Sequence, residues 1–137
     1  MGTETHTETN VDIEAVRAVI ELYVTGVSAS DAEVVASAFR PDARMWGYLG
    51  DQLVVAPITE FLNVVRETPD PGSWKDSYSH RIRSIDVTGN AAAGVLEETG
   101  YIGADFTNYF TLVRENGTWA IASKTFFLSG GDVPPAP

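Results

Sequence analysis

The chain has 137 residues, 44% of them hydrophobic and 20% charged, the size and balance of one globular domain with a proper core. Its 19 acidic and nine basic residues give a net charge of −10, and the scattered Lys and Arg exclude the basic surface that nucleic-acid binding needs. With no cysteine, disulfides, thiolate nucleophiles and thiolate metal sites are ruled out.

No apolar run approaches the ~18 residues of a membrane span, and no basic-then-apolar leader opens the chain. The expectation is a soluble cytoplasmic protein with no membrane partner. Residues 1–10 are polar and aperiodic, and read as a flexible tail that contains His6. From Val11 onward, Ile13, Val16, Val19, Ile20, Tyr23, Val24 and Val27 recur at helical steps, predicting a helix over 11–27 with Asn10 or Asp12 as cap. Ser30-Asp31-Ala32-Glu33 opens a shorter helix to about Phe39, which Pro41-Asp42 stops. Strands over 43–48 and 52–55 flank a turn at Gly50-Asp51. Pro57 then starts a third helix over 57–66, with Ile58, Phe61, Leu62 and Val65 as its apolar stripe. Residues 68–76 read as a loop carrying Trp74.

Four long strands follow. Residues 78–87 and 91–102 flank a turn at Thr88-Gly89-Asn90, and Asp105 to Phe127 folds back on itself at Glu115-Asn116-Gly117. Asn and Gly both accept the positive φ of a tight hairpin turn. Phe106, Phe110 and Leu112 share one face of this hairpin; Thr107, Tyr109, Thr111 and Val113 share the other. Neither face is fully polar, so the sheet is expected to be covered on both sides. Residues 129–137 are rich in Gly and Pro and read as a second flexible tail. One domain over 11–128 remains, with helices first and antiparallel strands after, an α+β class. Three N-terminal helices on a strongly curved, mainly antiparallel sheet would make a cone-shaped roll around a cavity.

Three stretches resemble the nuclear-transport-factor-2-like superfamily, the ketosteroid-isomerase or polyketide-cyclase-like fold, in its lumazine-binding-like branch. They are Tyr23 with Ser30-Asp31 and Phe39-Arg40-Pro41-Asp42-Ala43; His80-x-Ile82-x-x-Ile85-x-Val87-x-Gly89-x-Ala91; and Asn108-Tyr109-Phe110-x-Leu112 with Asn116-Gly117-x-Trp119-x-Ile121-x-x-Lys124-x-Phe126. The resemblance spans most of residues 11–127 and implies the fold, while its members include isomerases, cyclases, dehydratases, adaptors and binding proteins. The isomerase pattern implies an oxyanion donor at Tyr23, a base where this chain has Gly47, and a second acid near Tyr109. Without that base, proton transfer next to a carbonyl lacks its acceptor; Asp51, on a nearby turn, is the one substitute. The dehydratase pattern wants two histidines, and Val24 follows Tyr23 where an acid is needed.

His80 is the one histidine of the folded part, and the resemblance implies that it points into the cavity as a base or donor. A structural or partly exposed His80 is the competing reading. One histidine falls short of a usual metal ligand set, so no metal and no cofactor are expected. Glu97 and Glu98 lie on opposite faces of a strand; the inward one can tune His80 or act as an acid. Arg81 and Arg83 share the alternate face of the His80 strand and are expected to pair with carboxylates there. The catalytic candidates are therefore His80, Tyr23 and Tyr109. Ligand-binding candidates are Tyr23, Trp46, Phe61, Trp74, His80 and Tyr109, with Phe61 equally suited to the core.

Two small-molecule readings stand side by side. One is a binding protein, homodimeric through its exposed sheet, holding a small hydrophobic, aromatic or polyketide-like molecule in the cone. The other is a lyase or isomerase on a small hydrophobic carbonyl compound, with His80 as base. A third reading, an assembly module using the sheet face, needs no cavity at all.

Overall fold

Where helical and alternating apolar periods change along the chain, the secondary structure changes with them. The computed structural model describes residues 2–68 and 70–131, with side chains from residue 10 onward outside position 69. Helix α1 (Gly2–Ser28) is followed by α2 (Ala32–Ser37), the hairpin of β1 (Phe39–Leu49) and β2 (Gln52–Pro57), and α3 (Ile58–Glu67). Two short 3-10 turns, Pro71–Ser73 and Lys75–Ser77, lead into β3 (Ser79–Thr88), β4 (Ala91–Tyr101), β5 (Ala104–Glu115) and β6 (Thr118–Gly131). The strands form one sheet in the order β2-β1-β6-β5-β4-β3. All neighbours are antiparallel except β1 and β6, which run parallel. The helices cover one face of this curled sheet, the α+β cone that the sequence predicts.

Local chemistry explains the boundaries. In α1, Val16, Ile20, Tyr23, Val24 and Val27 form one buried stripe against the sheet. The helix begins at Gly2, within the stretch that the sequence reads as a polar tail. Once the apolar stripe fixes a helix, each added residue gains a hydrogen bond without paying for nucleation. Asp12 is thus no cap; its carboxylate accepts Arg114 Nη1 at 2.7 Å and ties α1 to β5. Asp31 does cap α2, its Oδ1 accepting the backbone N–H groups of Glu33 and Val34 at 3.2 Å each. In α3 the predicted stripe of Ile58, Phe61, Leu62 and Val65 is buried in full.

The hairpin turn behaves as its sequence demands, with Asn116 at φ 53° and Gly117 at φ 79°. Strand β6 runs past Phe127 to Gly131, which pairs with Ala104. The first part of the second expected tail is therefore strand, and residues 132–137 lie outside the described residues. A register shift interrupts β6. Ser123 pairs with Thr111 and Ile121 with Leu112, leaving Ala122 as an extra residue in a β-bulge. Trp119 and Ile121 face inward before the bulge, Lys124 and Phe126 after it. One inserted residue thus turns a lysine into the core.

Candidate ligand site in the cone

A cavity of about 1010 Å³ opens between α3, the β1–β2 hairpin and the inner face of the sheet. Its walls are mainly apolar, with Met45, Val54, Phe61, Tyr101, Phe106 and Phe126 among them. Tyr23 stands at its floor, stacked on Phe61 at 5.9 Å and edge-on to Phe110 at 5.0 Å. Tyr23 and Phe61 are the two predicted ligand-binding residues that line it.

Two buried charged residues interrupt the apolar lining. Glu98 is 3% exposed and Lys124 5% exposed. Both Glu98 oxygens are held: Tyr78 Oη donates to Oε2 at 2.7 Å, and Asn108 Nδ2 donates to Oε1 at 2.7 Å. Burial pushes the Glu98 carboxyl up, and the Lys124 charge and those two donors pull it part of the way back. Lys124 is surrounded differently. Its Nζ lies 4.4 Å from the ring centres of both Phe61 and Phe126 and 6.0 Å from that of Tyr23. Burial pushes this amine down to about 8, against the opposing pull of Glu98. Tyr23 moves the other way: burial, and then the Glu98 charge, hold its hydroxyl protonated well beyond the usual range. The site therefore offers a hydroxyl donor, a buried carboxyl and an amine that sheds its proton readily, all facing one hollow.

The remaining sequence candidates lie elsewhere. His80 pairs in register with Glu98 across β3 and β4, but its Nε2 is 2.9 Å from Glu21 Oε1 and it is not part of the lining. Helix α1 crosses β3 and intercepts the imidazole before it reaches the cavity. Tyr109 points to the outer face, where Arg83 Nη2 donates to its hydroxyl at 3.4 Å. Trp46 is 46% exposed on that same face, because Met45 and Gly47 take the inward positions of β1. Trp74 is buried, but edge-on against Tyr101 at 5.2 Å and Tyr78 at 5.9 Å, outside the lining. The cavity placement expected for His80, Tyr109, Trp46 and Trp74 is corrected accordingly. Arg81 and Arg83 both pair with Glu97, at 3.1 and 3.2 Å, as their shared face predicts.

Glu98 was one of two open choices from strand alternation, whereas Lys124 was hidden by the bulge. The signal for it is a parity conflict: Trp119 and Ile121 occupy odd positions, while Phe126 is apolar at an even one. Gly47, at the position where the resemblance implies a base, also has a structural reason. An added Cβ there would overlap the Phe126 ring. Gly47→Ala is expected to cost about 1–3 kcal/mol by forcing that ring to move, measured by urea unfolding. A neutral result would mean that Phe126 has free space beside it.

Comparison with known proteins agrees with this geometry. Residues 11–127 match the family described as "Putative lumazine-binding". An aldolase, FrzH, of Cladobotryum sp is 22% identical over 123 residues, covering 86% of this chain and 92% of that protein. An NTF2-like protein of unknown function from Methylobacillus flagellatus KT superposes with a TM-score of 0.79 at 28% identity, over 87% of this chain and 93% of the other. A second, from Shewanella baltica OS155, gives 0.78 at 24% identity over 91% and 95%.

Proposed function

The chain belongs to this lumazine-binding-like family of the nuclear-transport-factor-2-like superfamily, and on that footing we propose that its cone binds an uncharged, largely apolar aromatic or polyketide-like molecule. The observation that carries the reading is the hollow itself, about 1010 Å³ with polar groups confined to a few positions, as small-molecule sites usually are. Charge narrows the class. Glu60, Glu67 and Glu98 line the cavity against Lys124 alone, and the chain carries −10 overall, so anionic ligands are repelled. A neutral carbonyl or hydroxyl end fits the floor, where Tyr23 and Lys124 can donate and Glu98 can accept. Thermal-shift screening with uncharged heteroaromatic and polyketide-like ketones tests this. Saturation at about 100 times Kd should stabilise the fold by about 2.7 kcal/mol, and Ala56→Trp, which narrows the hollow, should abolish the shift. A folded protein that answers to nothing in such a panel would overturn the reading.

A lyase or isomerase acting on the same ligand is the second reading, and the shared hollow of Glu98 and Lys124 favours it. The base would then be Glu98 in place of His80. The expected result is deuterium uptake next to the carbonyl of a bound ketone, lost in Glu98→Gln; uptake unchanged in that variant would remove the idea.

We also propose a homodimer. Trp46, Tyr48, Leu53, Val55, Tyr109 and Phe127 are exposed, all on the sheet face away from the helices. They adjoin one another, Trp46 opposite Val55 and Tyr48 opposite both Leu53 and Phe127. An apolar face of this kind is what two copies can bury against each other about a two-fold axis. Light scattering should give twice the chain mass, and Phe127→Glu should give the single mass. A wild-type monomer at high concentration would refute the assembly.

A further inference from the structure

We propose that Lys124 Nζ, set between the rings of Phe61 and Phe126 at the wall of the cone, forms an imine with carbonyl compounds that enter it. This rests on the reading of the cone as a site for carbonyl ligands. Lys124 is on the cavity lining, and its amine lies over the rings of Phe61 and Phe126, 4.4 Å from each ring centre. Among the described residues no carboxylate lies within ion-pair distance of it. A lysine serving only structure would be expected to end in a direct carboxylate contact or to extend its amine to water. Lys124 makes no such contact and, at 5% exposed, faces the cavity instead of the outer surface.

The chemistry balances with groups in the same hollow. The neutral amine attacks the carbonyl carbon, a C–N bond forms, and the carbonyl oxygen takes a proton. Loss of that oxygen as water, with a second proton supplied and one released from nitrogen, leaves a protonated imine; overall, amine, carbonyl and one proton give iminium and water. No oxidant or reductant enters. The iminium then draws electrons from the neighbouring carbon, which loosens its C–H bond or a C–C bond to a hydroxyl-bearing carbon. Glu98 on β4 and Tyr23 on α1 face Lys124, and Glu60 and Glu67 of α3 line the same hollow. Glu98, whose charge acts on the amine, is the one that can accept the released proton. With its amine at about 8, roughly a tenth of Lys124 is neutral at pH 7, against fewer than about one in a thousand for an ordinary lysine.

The sequence supplies its own control, because Lys75 is the chain's one other lysine and lies on an exposed turn. The full chain is incubated with benzaldehyde and, separately, 2-naphthaldehyde, reduced with sodium borohydride, and mapped by peptide mass spectrometry. The expected result is a reduced adduct on Lys124 at least tenfold above that on Lys75. Its formation rate should reach half its maximum near pH 8, where the Lys124 amine loses its proton. Lys124→Arg and Lys124→Met should lose the adduct, whereas Lys75→Arg, an exposed residue outside the lining, should keep both the adduct and the thermal shift that the same aldehydes produce. Equal labelling of both lysines, or a shift by the aldehydes without an adduct on Lys124, overturns the imine and leaves ligand binding intact. No shift and no adduct overturns both.

Discussion

Replacing Phe110 by alanine is expected to lower the unfolding free energy by about 3–5 kcal/mol. Phe110 is 1% exposed at the middle of β5 and meets Tyr23 at 5.0 Å and Phe39 at 6.5 Å, both edge-on. Those rings come from α1 and β1, so the truncation leaves an unfilled space where helix and sheet are joined. Backbone hydrogen bonds on both sides of β5 prevent the sheet from collapsing into it. Because a domain of this size has about 5–15 kcal/mol in total, the variant should unfold at markedly lower urea. The neighbouring Tyr109→Ala, on the outer face, should cost far less in the isolated chain. A loss below about 1 kcal/mol for Phe110→Ala would mean that the ring cluster does not hold α1 to the sheet.

Stability should also depend on pH through Lys124. Burial holds its amine at about 8 against an ordinary 10.5. Between those values the unfolded chain binds a proton at this site and the folded chain does not, so stability rises with pH across the window. At about 1.4 kcal/mol per unit, the full shift corresponds to about 3 kcal/mol. From about pH 10 the buried Tyr23 and Tyr78 oppose the rise, because burial keeps them protonated in the folded state after the unfolded chain has lost those protons. The rise is therefore read between about pH 8 and about 9.5 by urea unfolding. Glu98 has the opposite slope. Burial raises its folded value, so stability falls as pH climbs from the ordinary 4.5 toward that raised value. Lys124→Met should flatten the alkaline rise and, by removing the charge that lowers Glu98, steepen the acid-side fall. A wild-type profile that stays level above about pH 8 would show that the amine is hydrated in the folded state.

What could be read from residue order was whatever the backbone repeats. Helical steps in α1 and α3, the Asp31 cap and the Asn116-Gly117 turn are local, and each emerges where expected. Residue faces were legible only while alternation was unbroken, as in β5, where it separates Phe106 and Phe110 from Tyr109; the cavity role expected of Tyr109 came from the resemblance and not from this spacing. The Ala122 bulge breaks that rule in β6 and carries Lys124 inside, which spacing alone assigns to the surface. His80 fails for a different reason. It occupies the correct strand and register, but whether the ring reaches the hollow depends on where α1 crosses, a tertiary fact with no sequence period. Trp46 and Trp74 were weighed by size and position along the chain, and aromatic bulk serves an outer face or a packed edge as well as it serves a pocket.

The close fit of Phe126 over Gly47 constrains how this scaffold can diverge. An acid at 47 and the aromatic sandwich around Lys124 compete for one volume, so Gly47→Asp requires a smaller residue at 126. Shrinking Phe126 removes one of the two rings that keep water from the amine, and the new carboxylate would favour its protonated form. Proton-shuttling and amine chemistry are thus alternative endpoints for this hollow, separated by at least two coordinated substitutions, with the intermediates either overcrowded or rehydrated.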